Sequence, residues 1–252
     1  MVTSYRQPRR QNLSVQERLR QIGLIGYWPL ANAVGVDLNS AFSPSGPDDF
    51  SNINAVTSVT GPSGNLPSAS GFNSASSQYL RSAAATNPRL DGLSSFTLAG
   101  WYYQTTNTVN VIFSRWDLGS TPNQKQVALT HNNGTISLNA SQNGSSNGTA
   151  GTATGITTAT WYFLICESRD GVLSIYVNLA PGATLGLWGG TGGGLWPSTV
   201  RFNFGAQFNN GSAISLLNGK LAHWGIWSRV LRDDEKFWLY NNGNGRDLVR
   251  GV

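Results

Sequence analysis

Residues 161–178 read WYFLICESRDGVLSIYVN, and this stretch decides the fold class. Trp161 to Cys166 and Val172 to Val177 are rich in aromatic and β-branched residues, which suit a pleated, half-buried surface. Between the two runs, Asp170-Gly171 is a pair that tolerates the positive φ of a two-residue type I′ turn. An antiparallel hairpin follows. The pattern recurs in VALTHNNGTISLN (127–139), where Asn133-Gly134 divides two β-forming runs. Phe96 to Tyr103 (FTLAGWYY) and Val109 to Trp116 (VNVIFSRW) read as two further strands.

The composition agrees with this reading. The 252 residues include 30 Gly, 9 Trp, 10 Phe and 8 Tyr; 39% are hydrophobic and 12% charged, against a charged share of about 25% in an average soluble protein. A sizeable core with many tight turns is implied. Ten or more short strands from Leu24 onward, without intervening helical periods, point to a two-sheet antiparallel sandwich whose inner faces bury alternate residues.

Helical signals are confined to the ends. Ser14 and Glu17 form a capping box, Val15, Leu19 and Ile22 fall on one stripe, and Gly23 supplies a stop, so a short N-terminal helix is predicted. Three apolar residues are few, and this helix needs a surface to lie on. Asp233 to Asn242 (DDEKFWLYNN) predicts a second short helix: its acidic start suits the helix dipole, Phe237 and Tyr240 share one face, and Gly243 ends it. Residues 1–23 thus form an arm, and 24–252 one domain.

The charge lies mostly in that arm. Arg6, Arg9, Arg10, Arg18 and Arg20 against Glu17 account for most of the net +5. No nucleic-acid-binding motif accompanies them, so an acidic groove on a protein partner, or plain solvation, is favoured over DNA or RNA.

Two low-complexity stretches interrupt the strands. Asn139 to Thr160 reads as a loop or a polar edge hairpin; its sequons at Asn139, Asn143 and Asn147 arise by chance in so Asn-rich a run. Gly186 to Trp196 (GLWGGTGGGLW) sets Trp188 and Trp196 among glycines and lacks the Gly-Lys-Ser/Thr of a phosphate loop.

Four spaced segments carry a resemblance: GYWPLANAVGVDLNS (Gly26 to Ser40), SFTLAGWYY (Ser95 to Tyr103), TWYFLICESRDGVLSIYVN (Thr160 to Asn178) and NGKLAHWGIWSRVLRDDEKFWLYNNGNG (Asn218 to Gly245). Their order resembles that of laminin-G-like jelly rolls, which belong to the concanavalin A-like lectin and glucanase fold. The resemblance spans Leu24 to Leu248 and implies an all-β, two-sheet antiparallel jelly-roll sandwich with a short helix at each end. The chain departs from the family pattern at Ala222-His223, where two acidic residues are usual, and at Asn178-Leu179, where Asp-Gly is usual. No calcium site is expected from these segments.

No enzyme is expected either. The Glu-x-Asp-x-(x-)Glu strand of related glycosidases has no counterpart: Glu17 and Glu235 fall in the terminal helices, and Glu167 with Asp170 flanks a hairpin. His131, beside the Asn133-Gly134 turn, is expected to be exposed, and His223 partly covered on the closing strand. The single Cys166 reads as core and excludes both an intrachain disulfide and a cysteine zinc cage. No cofactor and no metal are expected.

Two functions remain. The first is a structural virion protein of a bacteriophage, a capsid decoration or fibre-associated piece made in the host cytoplasm without an export signal. It would dock on other virion or surface proteins through Arg6, Arg9, Arg10, Val15, Leu19 and Ile22 and form a homo-oligomer, with no membrane partner. A surface low in charge and rich in Asn, Thr and Gly suits such permanent packing. The second is an extracellular or cell-surface lectin-like module, in which Trp188 and Trp196 present flat apolar faces to sugar rings. The alternative, which is favoured, is that the same two tryptophans cover the sheet or a subunit contact.

Overall fold

The computed structural model describes residues 23–31, 50–83, 90–120, 124–145, 152–183, 185–187 and 193–249. In chain order the strands are β1 (Leu24–Trp28), β2 (Phe50–Ile53), β3 (Thr57–Thr60), β4 (Ser68–Phe72), β5 (Tyr79–Ser82), β6 (Phe96–Gln104), β7 (Asn110–Asp117), β8 (Gln124–Asn132) and β9 (Thr135–Ala140). They continue with β10 (Thr152–Ala153), β11 (Trp161–Arg169), β12 (Val172–Val177), β13 (Ala180–Pro181), β14 (Leu185–Leu187), β15 (Asn203–Phe204), β16 (Gln207–Asn209), β17 (Ser212–Ile214) and β18 (Gly219–Trp227), before helix α1 (Asp233–Tyr240).

These strands form two sheets. One runs β13-β12-β11-β6-β18-β4-β3, with β1 also on β18 and β14 on β12; the other runs β10-β9-β8-β7-β15-β5-β2, with the β16–β17 hairpin attached at β7. Pairing is antiparallel apart from one parallel contact, Phe208 with Asp117. The sandwich expected from the sequence is present. The predicted N-terminal helix lies outside the described residues, and no described helix is long and apolar enough to cross a membrane.

Local chemistry sets the turns. Asn133 and Gly134 have φ of 47° and 78°, Asp170 and Gly171 of 49° and 87°, so both predicted hairpins close through positive-φ pairs. A third such pair is Asn178-Leu179, at 50° and 70° between β12 and β13, where leucine occupies a left-handed position that side chains resist. The polar stretch after β9 returns as the short edge strand β10, paired to Ser137 and Ile136.

Between the sheets lies one apolar cluster that includes Trp28, Phe50, Phe96, Ile112, Phe113, Leu129, Leu164, Phe204 and Trp224. Strand β9 shows the expected alternation, half-buried then buried. Strands β6 and β11 do not. A second cluster, containing Tyr27, Ala99, Trp101, Phe163, Ile165, Trp227 and Leu239, covers the outer face of the first sheet, so these strands are buried on both sides.

Helix α1 forms that cover. Its first turn is closed by Glu235, whose Oε2 accepts from the Arg232 N–H at 2.8 Å. It ends at Asn241, in the left-handed region at φ 48°, rather than at Gly243 as expected. The expected shared face of Phe237 and Tyr240 is also corrected. Tyr240 stacks on Trp101 and Phe163 at ring distances of 6.1 and 5.8 Å, while Phe237 is 63% exposed. Lys236 is drawn inward to Glu167, and this rotates Phe237, one residue on, out to solvent.

Strand β18 changes partner midway. Gly219 to Leu221 pair with β4, whereas Trp224 to Trp227 pair with β1. The switch is a bulge at Ala222/Gly225, where His223 takes φ 52° and its N–H donates to Pro29 O at 2.9 Å.

Candidate functional site

Of the two tryptophans singled out in the sequence, Trp188 lies outside the described residues, and so do Arg6, Arg9, Arg10, Val15, Leu19 and Ile22. Trp196 is half-buried. A Cβ on Gly194 would collide with the Gly92 backbone, so glycine is what lets segment 193–196 lie this close. The segment is then fastened by its main chain. Gly92 N–H donates to Leu195 O at 2.9 Å, Leu195 N–H to Leu93 O at 3.0 Å and Trp196 N–H to Ser141 O at 2.8 Å.

The Trp196 indole nitrogen is fully buried and has no hydrogen-bond partner. Since the side chain is only half-buried and its one polar atom points inward, the surface it offers outside is carbon. Beside it runs the turn after β9. Asn143 Oδ1 accepts from the Ser145 N–H and hydroxyl at 2.9 and 3.1 Å, and Ser141 Oγ accepts from Gly144 N–H at 3.1 Å. A flat apolar face next to amide and hydroxyl groups is the arrangement that accepts a sugar ring.

Beneath this shelf lies a polar network that the sequence reading missed. Arg115 is fully buried. Its Nη1 donates to Asp91 Oδ1 at 2.5 Å and Gln126 Oε1 at 3.2 Å, its Nε donates to Val200 O at 3.0 Å, and its Nη2 donates to Ser198 O. Gln126 Nε2 in turn donates to Asp91 Oδ1 and to Trp196 O, each at 2.6 Å. The guanidinium thus fixes the loop that carries Trp196. The signal in the sequence was a lone arginine inside VIFSRW, because a buried charge needs a partner.

A second concave feature lies on the other layer. Tyr176, Leu179, Asp233, Lys236 and Phe237 line a recess of about 190 Å³ between the β12–β13 turn and helix α1. Lys236 Nζ sits 2.8 Å from Glu167 Oε2 and 4.2 Å from the Tyr176 ring centre, and both ion-pair partners are buried. Tyr176 OH donates to Glu167 Oε1 at 3.3 Å. Glu167 is therefore engaged by an ammonium and a phenol, which suits a structural carboxylate rather than a proton donor. Asp117 is similarly engaged. Burial raises its pKa, but N–H donors from Gly211, Gly119 and Asn210, with the Ser120 hydroxyl, outweigh this and hold it below the usual carboxylate range while fastening the β16–β17 hairpin.

Neither histidine is exposed. His131, expected at the surface, is fully buried beside Tyr102, because it continues the inward phase of Val127 and Leu129. Its Nε2 accepts from Gly134 N–H at 3.0 Å, so the ring is neutral with its proton on Nδ1. Burial pushes its pKa below the ordinary value, partly offset by the Thr108 carbonyl. The unfolded chain therefore takes up this proton first. Stability should fall as pH drops below about 6.5 and level off below the folded-state value. His131→Gln should remove that part of the slope in melting temperature against pH, and an unchanged slope would contradict the assignment.

His223 is buried at the β18 bulge, with Nδ1 2.5 Å from Tyr27 OH. Burial raises the Tyr27 pKa far above its usual value, so the phenol keeps its proton beside the imidazole while accepting from Leu248 N–H at 3.2 Å. No group of three or more His, Cys, Asp or Glu able to hold a metal occurs among the described residues.

The sequence model of the concanavalin A-like lectin/glucanases superfamily matches residues 74–235. No curated protein matches the sequence. Among solved structures, the chain is similar to the binding domain of Paraclostridial mosquitocidal protein 1 (12% identity, TM-score 0.64, 91% of this chain and 53% of that one). It is also similar to the binding domain of botulinum neurotoxin DC in complex with SialylT (12%, 0.60, 88% and 51%). A third similar structure is a Trypanosoma rangeli sialidase (14%, 0.59, 89% and 34%). The chain thus spans about half of the toxin domains and a third of the sialidase, and at such identities the likeness is one of fold.

Proposed function

Because the chain belongs to the concanavalin A-like lectin/glucanase superfamily, we propose that it is a non-enzymatic recognition module that binds glycans at the Trp196 shelf and is attached to its support through the N-terminal arm. The observation that carries the reading is the Trp196 side chain, carbon-faced outward, held by a buried guanidinium network and flanked by the polar 141–145 turn. Trp188, immediately before the glycine-rich run that leads to Trp196, would supply a second ring. The toxin domain that resembles this chain was solved with SialylT, which supports a saccharide as the ligand class.

The test is a glycan array with wild type, Trp188→Ala and Trp196→Ala. Wild-type binding that is lost in either variant at unchanged melting temperature is the expected result. If wild type binds no glycan at millimolar concentration, the reading fails. If Trp196→Ala unfolds the protein or dissociates an oligomer, the ring is structural.

An assembly role on a virion is the second reading, and the exit of the arm favours it. Ser228 N–H donates to Gly23 O at 2.9 Å, which sets the arm's departure beside the end of β18. An arm of arginines and one apolar stripe, joined to the sandwich there, could dock on a neighbouring protein.

A further inference from the structure

We infer that the recess between the β12–β13 turn and helix α1 receives arginine side chains from the N-terminal arm of a second copy of this chain. This rests on the proposed reading of the arm as a docking element. The argument starts from the charges around the recess. Its one ammonium, Lys236, is already matched by Glu167 at 2.8 Å and lies farther from Asp233, at 3.7 Å. One ammonium thus serves two carboxylates, Glu167 and the 89% exposed Asp233, and the three groups together carry one net negative charge. An anionic ligand is disfavoured there and a cationic one favoured.

The walls select the type of cation. Tyr176 and Phe237 are aromatic, and Phe237, turned outward by the Lys236–Glu167 pair, is more exposed than any other large apolar side chain of the described residues. Guanidinium is flat, weakly hydrated and stacks on rings. The chain uses this contact elsewhere: Arg246 lies 4.9 Å from the Trp238 ring centre and Arg81 lies 4.5 Å from that of Phe208.

The occupant follows from the chain itself. Its most concentrated positive charge is the run Arg6, Arg9 and Arg10. The arm joins the sandwich at Gly23, against Arg229 and Ser228, just before α1. At up to about 3.3–3.6 Å per residue, the chain from Gly23 back to Arg6 is long enough to reach a neighbouring copy. Reciprocal exchange of two arms closes a two-fold dimer.

Sedimentation of the full-length protein tests this, with three variants: one lacking residues 1–21, Arg6→Gln/Arg9→Gln/Arg10→Gln, and Asp233→Asn/Phe237→Ser, whose two sites are exposed and leave the fold intact. Wild type should self-associate, more weakly as salt rises. Each variant alone should dimerise at least tenfold more weakly. Mixing the arm-deleted protein with Asp233→Asn/Phe237→Ser should restore a mixed dimer, since one supplies the recess and the other the arm. A monomeric wild type overturns the inference, and so does binding of a residue 1–22 peptide by the arm-deleted protein while wild type stays monomeric, because the arm then docks on its own subunit. If arm deletion abolishes association and Asp233→Asn/Phe237→Ser does not, the recess is wrong and the docking arm stands. If arm deletion changes no attachment at all, the docking reading fails with it.

Discussion

Arg115→Met should lower stability by roughly 3–5 kcal/mol, the range seen when one member of a buried ion pair is removed. The guanidinium binds the Asp91 and Gln126 side chains and the Ser198 and Val200 carbonyls, and lies 5.0 Å from the Phe202 ring centre. Methionine fills much of the volume but leaves these acceptors unmatched, each at about 1–3 kcal/mol if it stays buried. Arg115→Lys separates the parts of this effect, because a single ammonium cannot reach carbonyls and carboxylate together. It should retain part of the stability while loosening residues 193–200, so its loss of glycan affinity should exceed its loss of stability. Urea titration reads the first effect as a shift in midpoint at constant slope. An unchanged midpoint for Arg115→Met would mean that the network is dispensable.

Lys236→Met should be of comparable size, again roughly 3–5 kcal/mol, because it strands the buried Glu167 carboxylate under helix α1. Combining Lys236→Met with Glu167→Leu should restore most of the loss, since an apolar pair of similar volume carries no desolvation cost. The double-mutant cycle isolates the coupling. If the double variant is as unstable as the single one, the helix is held by packing of Leu239 and Tyr240 rather than by the ion pair.

What the sequence disclosed is what adjacent residues determine. The Asn133-Gly134 and Asp170-Gly171 hairpins were legible because two neighbouring side chains fix the turn, and the strands around them because their apolar residues are contiguous. The Asn178-Leu179 turn was not, since leucine gives no local sign of a left-handed backbone and is carried there by the pairing of β12 with β13. His131 was misread on its proximity to a turn, although the period-two phase of Val127 and Leu129 already pointed it inward. The partners of Arg115 lie 11 to 85 residues away, and no local pattern encodes them. Phe237 was misplaced for a related reason: the helix is rotated by a carboxylate on a strand, Glu167, that only the folded sheet brings near.

The pairing of β1 with β18 bears on how the chain is made. Leu24 opposes Trp227, and Trp28 opposes Trp224, so β1 finds its partner only when the chain has been made about 200 residues further, as far as residue 227. At about 5–20 residues per second, the ribosome leaves Leu24–Trp28 without its ladder for roughly 10–40 seconds. During that interval Ile25, Tyr27 and Trp28 form an apolar segment that no sheet yet shelters. The bulge at His223 lets β18, on arriving, pair its first half with β4 and its second half with the waiting β1. Closure of the sandwich therefore waits for residues 224–227, and a chaperone that holds the growing chain would meet this strand long before its partner exists.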